Sequence, residues 1–530
     1  MGNENLEFYD WQIRAFNHIK NNSAVMSAPT GAGKTLVSYL WAGILNTDGS
    51  VNKNFDAERI IFTAPIKALS NERYLDLRKM GLDVGIETGD FKRNEGAQIL
   101  CCTQEIYSMK YSHISRQKLI VDEFHYIFTD SDRARIYIDG IKNTPPDTEI
   151  LVMSATMGNI KSVGKYLSNI CMRDFIIHAA KTRVTKLIFK PEEPVQFYNI
   201  HDALVFLFSQ RGTVELAEKI AATRKRIRPE QVKRLEELAK ILEVKKTIPF
   251  LYKGVGIYHG SMLPKEKLLI ESAFRERLLD VVCGTNALAL GVNLPAQYVV
   301  FAQLVNYRLY KPITKNEFLQ MAGRAGRKGL FDPGYVTWLK NSPFEGEFFN
   351  TGKVFKELME KSQETAEIKL NPSYGKLLRG QALIEIEAEY IAEYSLPELK
   401  PENVLNELEL GMQRINQAAA KLARRKNRAK FKKILAEIWY DEMEIDENLE
   451  MARLFFEEPN PSALIAAKLL TLYERNYLQA LLKVKRFANR LPKNRHFRMM
   501  NELNETVDSI DPTIYGFEEK IGEIEKTIKN

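Results

Sequence analysis

The 530-residue chain has only four cysteines, Cys101, Cys102, Cys171 and Cys283, and no pair of them stands at the separation of metal ligands. Cys101-Cys102 and Cys283 sit inside apolar runs, as buried thiols commonly do, so a reduced, cytoplasmic compartment is expected. No apolar stretch approaches the ~18 residues that a membrane-crossing helix needs, and no charged-then-apolar leader is present, so neither membrane association nor secretion is expected. Charge of one sign does not dominate either. The 76 Lys and Arg against 68 Asp and Glu leave a net charge of +8, which favours a polyanionic partner without demonstrating one. The length is too great for a single core and predicts about three or four domains.

What is present is more specific. The run Ala28-Pro29-Thr30-Gly31-Ala32-Gly33-Lys34-Thr35 follows an apolar stretch, residues 24–27, and precedes a helical pattern over residues 36–45. Small residues let successive backbone N–H groups turn toward phosphate oxygens, Lys34 reaches the β and γ positions, and the Thr35 hydroxyl is placed to hold Mg²⁺. Thr30, Gly31, Ala32, Gly33, Lys34 and Thr35 are therefore candidate nucleoside-triphosphate ligands at a helix N-terminus.

Short apolar runs at residues 59–63, 98–102, 118–121 and 149–153 read as buried strands between amphipathic helical stretches, the pattern of a parallel sheet wrapped by helices. A second series at residues 203–208, 255–258, 280–283, 298–302 and 335–339 predicts a second α/β domain. Residues 178–194, with charges and two prolines, suit a linker. After about residue 341 the strand pattern thins, and from about residue 401 helix formers with apolar residues three and four apart dominate.

Ligands of such sheets lie beyond the carboxyl ends of the strands. Behind the run at 119–121 stands Asp122-Glu123-Phe124-His125, in which Asp122 suits Mg²⁺ and Glu123 a general base; a solvated acidic turn is the lesser alternative, and lesser still with the phosphate loop in the same sheet. Ser154-Ala155-Thr156 follows the run at 151–153, and the Ser154 and Thr156 hydroxyls could report nucleotide state to those carboxylates. The second half has no phosphate loop of its own; it carries Gln320-Met321-Ala322-Gly323-Arg324-Ala325-Gly326-Arg327. Arg324 and Arg327, at i and i+3, would share a helix face or its entry turn and serve as arginine fingers; spacing alone fits two surface arginines as well. Upstream, Tyr9 and Gln12 provide a ring to stack on an adenine and an amide to read its edge.

In this order the motifs resemble the superfamily-2 helicases, and within them the superkiller-like, DExH-type branch of ATP-dependent RNA and DNA helicases. The resemblance runs through the Q motif at Tyr9 and Gln12, motif I at residues 28–35, motif Ia at residues 63–69, motif Ib at Thr88-Gly89-Asp90, Thr103-Gln104-Glu105, motif II as DEFH and motif III at residues 154–156. It continues at 208–209, at Tyr258-His259-Gly260-Ser261, in motif V over residues 284–296, and in motif VI as QMAGRAGR. It covers roughly two thirds of the chain. The chain departs from the pattern at Ala134, where the family usually has glycine, and has no long arch-like insertion between Asn341 and Asn371, which argues against the exosome-associated subgroup.

The resemblance implies an α/β fold of two tandem RecA-like parallel-sheet domains, a small winged-helix-like region and an α-helical C-terminal domain, with boundaries at 1–180, 181–345, 346–400 and 401–530. It implies a monomer using ATP and Mg²⁺, translocating 3′ to 5′ on single-stranded nucleic acid and unwinding duplexes with a single-stranded tail. The other open activity is remodelling of protein–nucleic acid complexes without strand separation. Lys34, Thr35, Asp122 and Glu123 would face Gln320, Arg324 and Arg327 across ATP, with Gly291 and Asn293 of motif V beside the nucleotide. Pro65, Lys67, Thr88, Gly89, Thr103 and Gln104, with His259, Gly260, Thr285 and Asn286, would follow the strand's phosphates without reading sequence. RNA and DNA both fit. Two basic blocks in the tail, residues 414–433 and 483–498, could track a backbone or merely form solvated helix faces.

Overall fold

The computed structural model describes residues 6–457, apart from 89–91, 129–130, 156, 182, 245–246, 261, 290–293, 295, 307–310, 328, 345–349, 423–426, 440 and 442–444. Two compact units emerge: Met1–Val195 with Ala289–Asn371 and Tyr394–Glu398, and Gln196–Leu288 with Pro372–Glu393 and Leu399–Asn530.

The first unit is built on an eight-stranded sheet. Its strands are β1 (Ala24–Ser27), β2 (Arg59–Ala64), β3 (Val84–Glu87), β4 (Lys92–Arg93), β5 (Ile99–Thr103), β6 (Gln117–Val121), β7 (Glu149–Ser154) and β8 (Ile176–Ala179), in the order β4-β3-β5-β2-β6-β7-β1-β8. All neighbours are parallel except β3 and β4. The central strands are buried at nearly every position, as continuous apolar runs require when helices cover both faces. Tyr39, Trp41, Tyr107, Phe124 and Tyr137 are fully enclosed, Phe124 contributing about 1.5–3 kcal/mol by leaving water. All five strand runs read in this half are present within a residue or two. The structure adds β3, β4 and β8, and the 178–194 stretch read as a linker carries the end of β8 and a further strand, Leu187–Phe189.

The second series of strands is also present in full. Tyr298–Phe301 pairs in parallel with Gly334–Trp338, which pairs with Leu187–Phe189, all in the first unit. Their apolar face is filled by Phe301, stacked on Phe318 at 5.0 Å, and by Phe355, edge-on to Phe318 at 5.3 Å. Between them Val305–Asn306 and Lys311–Pro312 form a short antiparallel ladder.

In the second unit Val281–Gly284 lies between Ala203–Phe206 and Val255–Tyr258, all parallel. The helix Gln210–Ala222 follows, its start capped by Ser209 Oγ, which accepts the Gly212 N–H at 3.0 Å. The tail is helical as expected within the described residues: Pro401–Leu422, Arg428–Ile438 and Ile445–Glu457. Phe431 and Leu435 face the packed side while Arg428, Lys430, Lys432 and Lys433 are exposed. The second basic block lies outside the described residues. All four cysteines are buried and free, and burial pushes the Cys101, Cys171 and Cys283 thiols up to about 12.

Candidate functional site

The order of the large sheet sorts the candidate residues. The phosphate loop follows β1, Asp122 and Glu123 follow β6, and Ser154 ends β7; these three strands are neighbours in the order β6-β7-β1. Pro65 and Lys67 follow β2, Thr88 follows β3, and Thr103 ends β5, in the order β3-β5-β2. Two groups scattered along the chain thus occupy adjacent stretches of one carboxyl edge.

At the loop, Gly33 has φ +86° and leads into the helix Lys34–Ala42. A side chain there would meet the Gln12 amide nitrogen at 2.7 Å, so the close approach needs glycine as well as its backbone freedom. Gln12 is completely buried; its Nε2 donates to the Gly33 carbonyl at 2.9 Å and its Oε1 accepts the Tyr9 N–H at 2.9 Å. The amide expected to read an adenine edge is engaged as a brace between the first helix and the loop. Lys34 Nζ donates to the Ala28 and Pro29 carbonyls at 3.0 and 3.4 Å, which holds the ammonium inside the loop's curl.

Asp122 and Thr35 converge on a residue that the motif reading missed. Arg73, on the helix Lys67–Lys79, donates through Nη2 to Thr35 Oγ1 at 3.2 Å and to Asp122 Oδ2 at 3.1 Å, and through Nη1 to Tyr39 Oη at 3.1 Å. The two proposed Mg²⁺ ligands therefore already share one cation. The oxygen pair fits a divalent ion completed by phosphate and water, and no cage of three or more His, Cys, Asp or Glu occurs among the described residues. Glu123 has φ +50°, a strained backbone for a non-glycine residue, and its N–H is accepted by Asp122 Oδ1 at 2.9 Å. Burial works to raise the Glu123 carboxyl, but His125, Lys34, Arg324 and Arg73 outweigh it and hold the group below its ordinary range, so it is ionised. Burial and the adjacent Glu123 charge raise Asp122.

His125 ties three motifs together. The Ala155 N–H of motif III donates to its Nδ1 at 3.3 Å, and its Nε2 lies 3.1 Å from the Gln320 amide. Burial, with the Lys34 and Arg324 charges, lowers the ring's pKa against the pull of Glu123, so the imidazole is neutral. Nδ1 also lies 3.4 Å from Glu123 Oε2, and the sense of the Gln320 contact follows the ring's tautomer. Ser154 is fully buried beside Ser27 in register, and Ser27 Oγ donates to the Ala155 carbonyl at 3.0 Å.

Motif VI differs from its expected form. The helix Lys315–Ala322 includes Gln320 but stops at Gly323, so Arg324 lies in a turn beyond the helix's C-terminal end and Arg327 in a bridge to Phe331. The reason is close packing: a Cβ on Gly326, which has φ +78°, would press on the Gly334 backbone at 2.9 Å, and the N–H of Gly326 pairs with the Ala296 carbonyl at 2.8 Å. Arg324 donates through Nε to the Ala289 carbonyl at 3.1 Å, while Arg327 is exposed. Gly323 rests on the phosphate loop, where a Cβ would lie 2.7 Å from that of Thr30. Arg183, also missed by the motifs, donates through Nη2 to the carbonyls of Gly323 and Ala325 at 2.9 and 2.5 Å. Every residue in these contacts belongs to the first unit.

Of the nucleic-acid candidates in that unit, Thr88, Thr103 and Gln104 are buried, and neither Gln104 amide atom has a hydrogen-bond partner among the described residues. The Pro65 carbonyl accepts from Arg133 Nη1 at 2.6 Å. In the second unit His259 and Thr285 are buried, the Gly260 carbonyl accepts from Lys267 Nζ at 3.1 Å, and Asn286 is exposed. Gly89, Thr156, Gly291 and Asn293 lie outside the described residues.

Two family models match in tandem, the DEAD/DEAH box helicase domain over residues 9–163 and the helicase conserved C-terminal domain over residues 199–329. The chain belongs to the superfamily-2 helicases. Within them it stands in the DExH-type, superkiller-like branch, with two tandem RecA-like parallel-sheet domains and a helical C-terminal region. It is 27% identical over 467 residues to the exosome RNA helicase MTR4 of Mus musculus, covering 73% of this chain and 43% of that protein. The ATP-dependent RNA helicase mtr4 of Schizosaccharomyces pombe is 28% identical over 402 residues, 60% of this chain and 35% of that one. DExH9 of Arabidopsis thaliana, a DExH-box ATP-dependent RNA helicase, is 25% identical over 488 residues, 75% of this chain and 47% of that one. The chain thus spans less than half the length of these relatives. No helix among its described residues is long and apolar enough to cross a membrane.

Proposed function

We propose that this chain is a nucleic-acid-stimulated ATPase that translocates 3′ to 5′ on a single strand, RNA being the first candidate because its relatives bear that name, and separates duplexes with a single-stranded tail. The observation that carries the reading is the junction at His125, which joins motif II to motif III through Ala155 and to motif VI through Gln320, beside a phosphate loop on which Gly323 rests. Lys34 and the loop amides would bind the β and γ phosphates, and ionised Glu123 would orient and deprotonate the attacking water. Thr35 and Asp122 would hold Mg²⁺, which neutralises phosphate charge when bound. Arg324 would leave the Ala289 carbonyl for the γ-phosphate, with Arg327 beside it. Loss of that phosphate would free motif VI from the loop, and this release is the movement that translocation requires.

The antiparallel pairing of Val305–Asn306 with Lys311–Pro312, soon after motif V, supports strand separation over remodelling, because a paired element at that place could split a duplex. The domain boundaries at about 180, 345 and 400 belong to the same proposal, with residues 346–400 as a winged-helix-like connector. Lys34→Ala and Glu123→Gln should each abolish stimulated ATP hydrolysis while leaving far-UV circular dichroism unchanged; wild-type turnover in either sinks the site. Strand displacement from a duplex with a 3′ overhang, run with RNA and DNA of matched sequence over a salt series, tests the rest. Hydrolysis without displacement would favour remodelling.

A further inference from the structure

Arg183 lies where no motif assigns a function. Its guanidinium is largely buried, yet no acidic side chain pairs with it among the described residues. Its Nε is buried and has no hydrogen-bond partner among the described residues. Among the described residues it satisfies the Gly323 and Ala325 carbonyls, both through Nη2. On its other side is the phosphate loop: a Cβ on Gly31 would stand 3.4 Å from Nη2 and 3.7 Å from Nε. Burial alone pulls this arginine down to about 10, since no carboxylate opposes the desolvation. A guanidinium in that state lacks a counter-charge. Its planar fork matches phosphate oxygens, and the nearest place an anion is to be expected is the loop it covers.

We propose that Arg183 is a nucleotide-binding residue, its missing counter-ion being the polyphosphate of a nucleoside di- or triphosphate held at Gly31, and that its hold on the Gly323 and Ala325 carbonyls passes nucleotide arrival to motif VI. The inference rests on the ATPase reading above. Gly323 and Ala325 flank Arg324, so any shift of Arg183 toward phosphate displaces the backbone that carries that arginine.

The test compares wild type, Arg183→Gln and Arg183→Lys for binding of mant-ADP in the presence of MgCl₂, with thermal melting of the nucleotide-free protein measured alongside. The expected result for Arg183→Gln is at least tenfold weaker mant-ADP binding with a nucleotide-free melting temperature equal to or above wild type, because a buried unpaired cation has been removed. Arg183→Lys should fall between, keeping the charge without the fork. Unchanged mant-ADP affinity in Arg183→Gln overturns the proposal, and so does a parallel loss of affinity and melting temperature, which marks a purely structural tie. Wild-type protein that binds no mant-ADP overturns the ATPase reading itself, and thereby separates the two failures.

Discussion

Replacing Arg73 by methionine removes one charge and keeps most of an apolar stem, which makes it a sharp probe of the cation shared by Thr35 and Asp122. Arg73 and Asp122 are each 14% exposed, so the pair is nearly dry. The arginine also stacks over Tyr39 at 5.5 Å. Burial works against its charge, but Tyr39 and Asp122 outweigh burial and fix the proton more firmly than usual. Breaking a buried pair by removing one partner costs about 3–5 kcal/mol, because the other charge is left unpaired. Residual water access at Asp122 argues for the lower end, about 3 kcal/mol. At about 2–4 °C per kcal/mol for a large domain, the transition of the first unit should fall by roughly 6–12 °C. Calorimetry in EDTA reads this directly, with the two units' transitions treated separately. Adding MgCl₂ and ADP returns a cation to Asp122, so the deficit should shrink to about 1 kcal/mol. Melting like wild type in EDTA, or the same deficit in both buffers, would refute the claim that Arg73 holds a cation's place.

Gly323→Ala puts a methyl group 2.7 Å from Thr30 Cβ and 3.1 Å from the Leu319 carbonyl, so motif VI must retreat from the loop. The turnover of ATP should fall roughly tenfold or more while mant-ADP affinity changes little, as steady-state kinetics and fluorescence titration would show. In the second unit Asp280 accepts from Arg224 Nη1 at 2.7 Å, the Asp202 N–H at 2.8 Å and His201 Nδ1 at 3.2 Å. Asp280→Ala leaves the Arg224 guanidinium, 14% exposed, without its carboxylate and should cost about 2–3 kcal/mol in chemical denaturation. Burial tends to raise Asp280, but the Asp202 N–H and Arg224 prevail and lower it. Its stabilising contribution is therefore complete above the unfolded carboxyl's pKa and is lost as pH falls through the folded value. Denaturation midpoints of wild type and Asp280→Ala should converge on the acid side of about pH 4.

The buried strands were legible because a strand covered on both faces must be apolar throughout, so Ala24–Ser27 and Val255–Tyr258 stand out with their limits intact. Lys92–Arg93 did not, since an exposed two-residue edge strand carries no apolar signal. Motif VI shows a different failure. Spacing at i and i+3 suggested a helix face or its entry turn for Arg324 and Arg327, but the helix ends at Gly323, and Gly326, at φ +78° against the Gly334 backbone, turns the chain beyond it. Gln12 was identified as important and its partner was not, because an amide that reads a base and one that braces a loop are the same residue in the same place.

By itself the sequence determined the chemistry available: a loop that can wrap phosphate, adjacent carboxylates at a strand end, and two arginines to answer them. Those depend on local residue type and on ordered spacing, which the chain carries without folding. Tertiary structure alone decided how they meet. It set β6, β7 and β1 side by side, brought Gln320 to His125 across 195 residues and Arg183 to Gly323 across 140, and put Arg73 between Thr35 and Asp122. Such contacts follow from strand order and helix packing, and a buried charge finds its partner only when the surrounding water has gone.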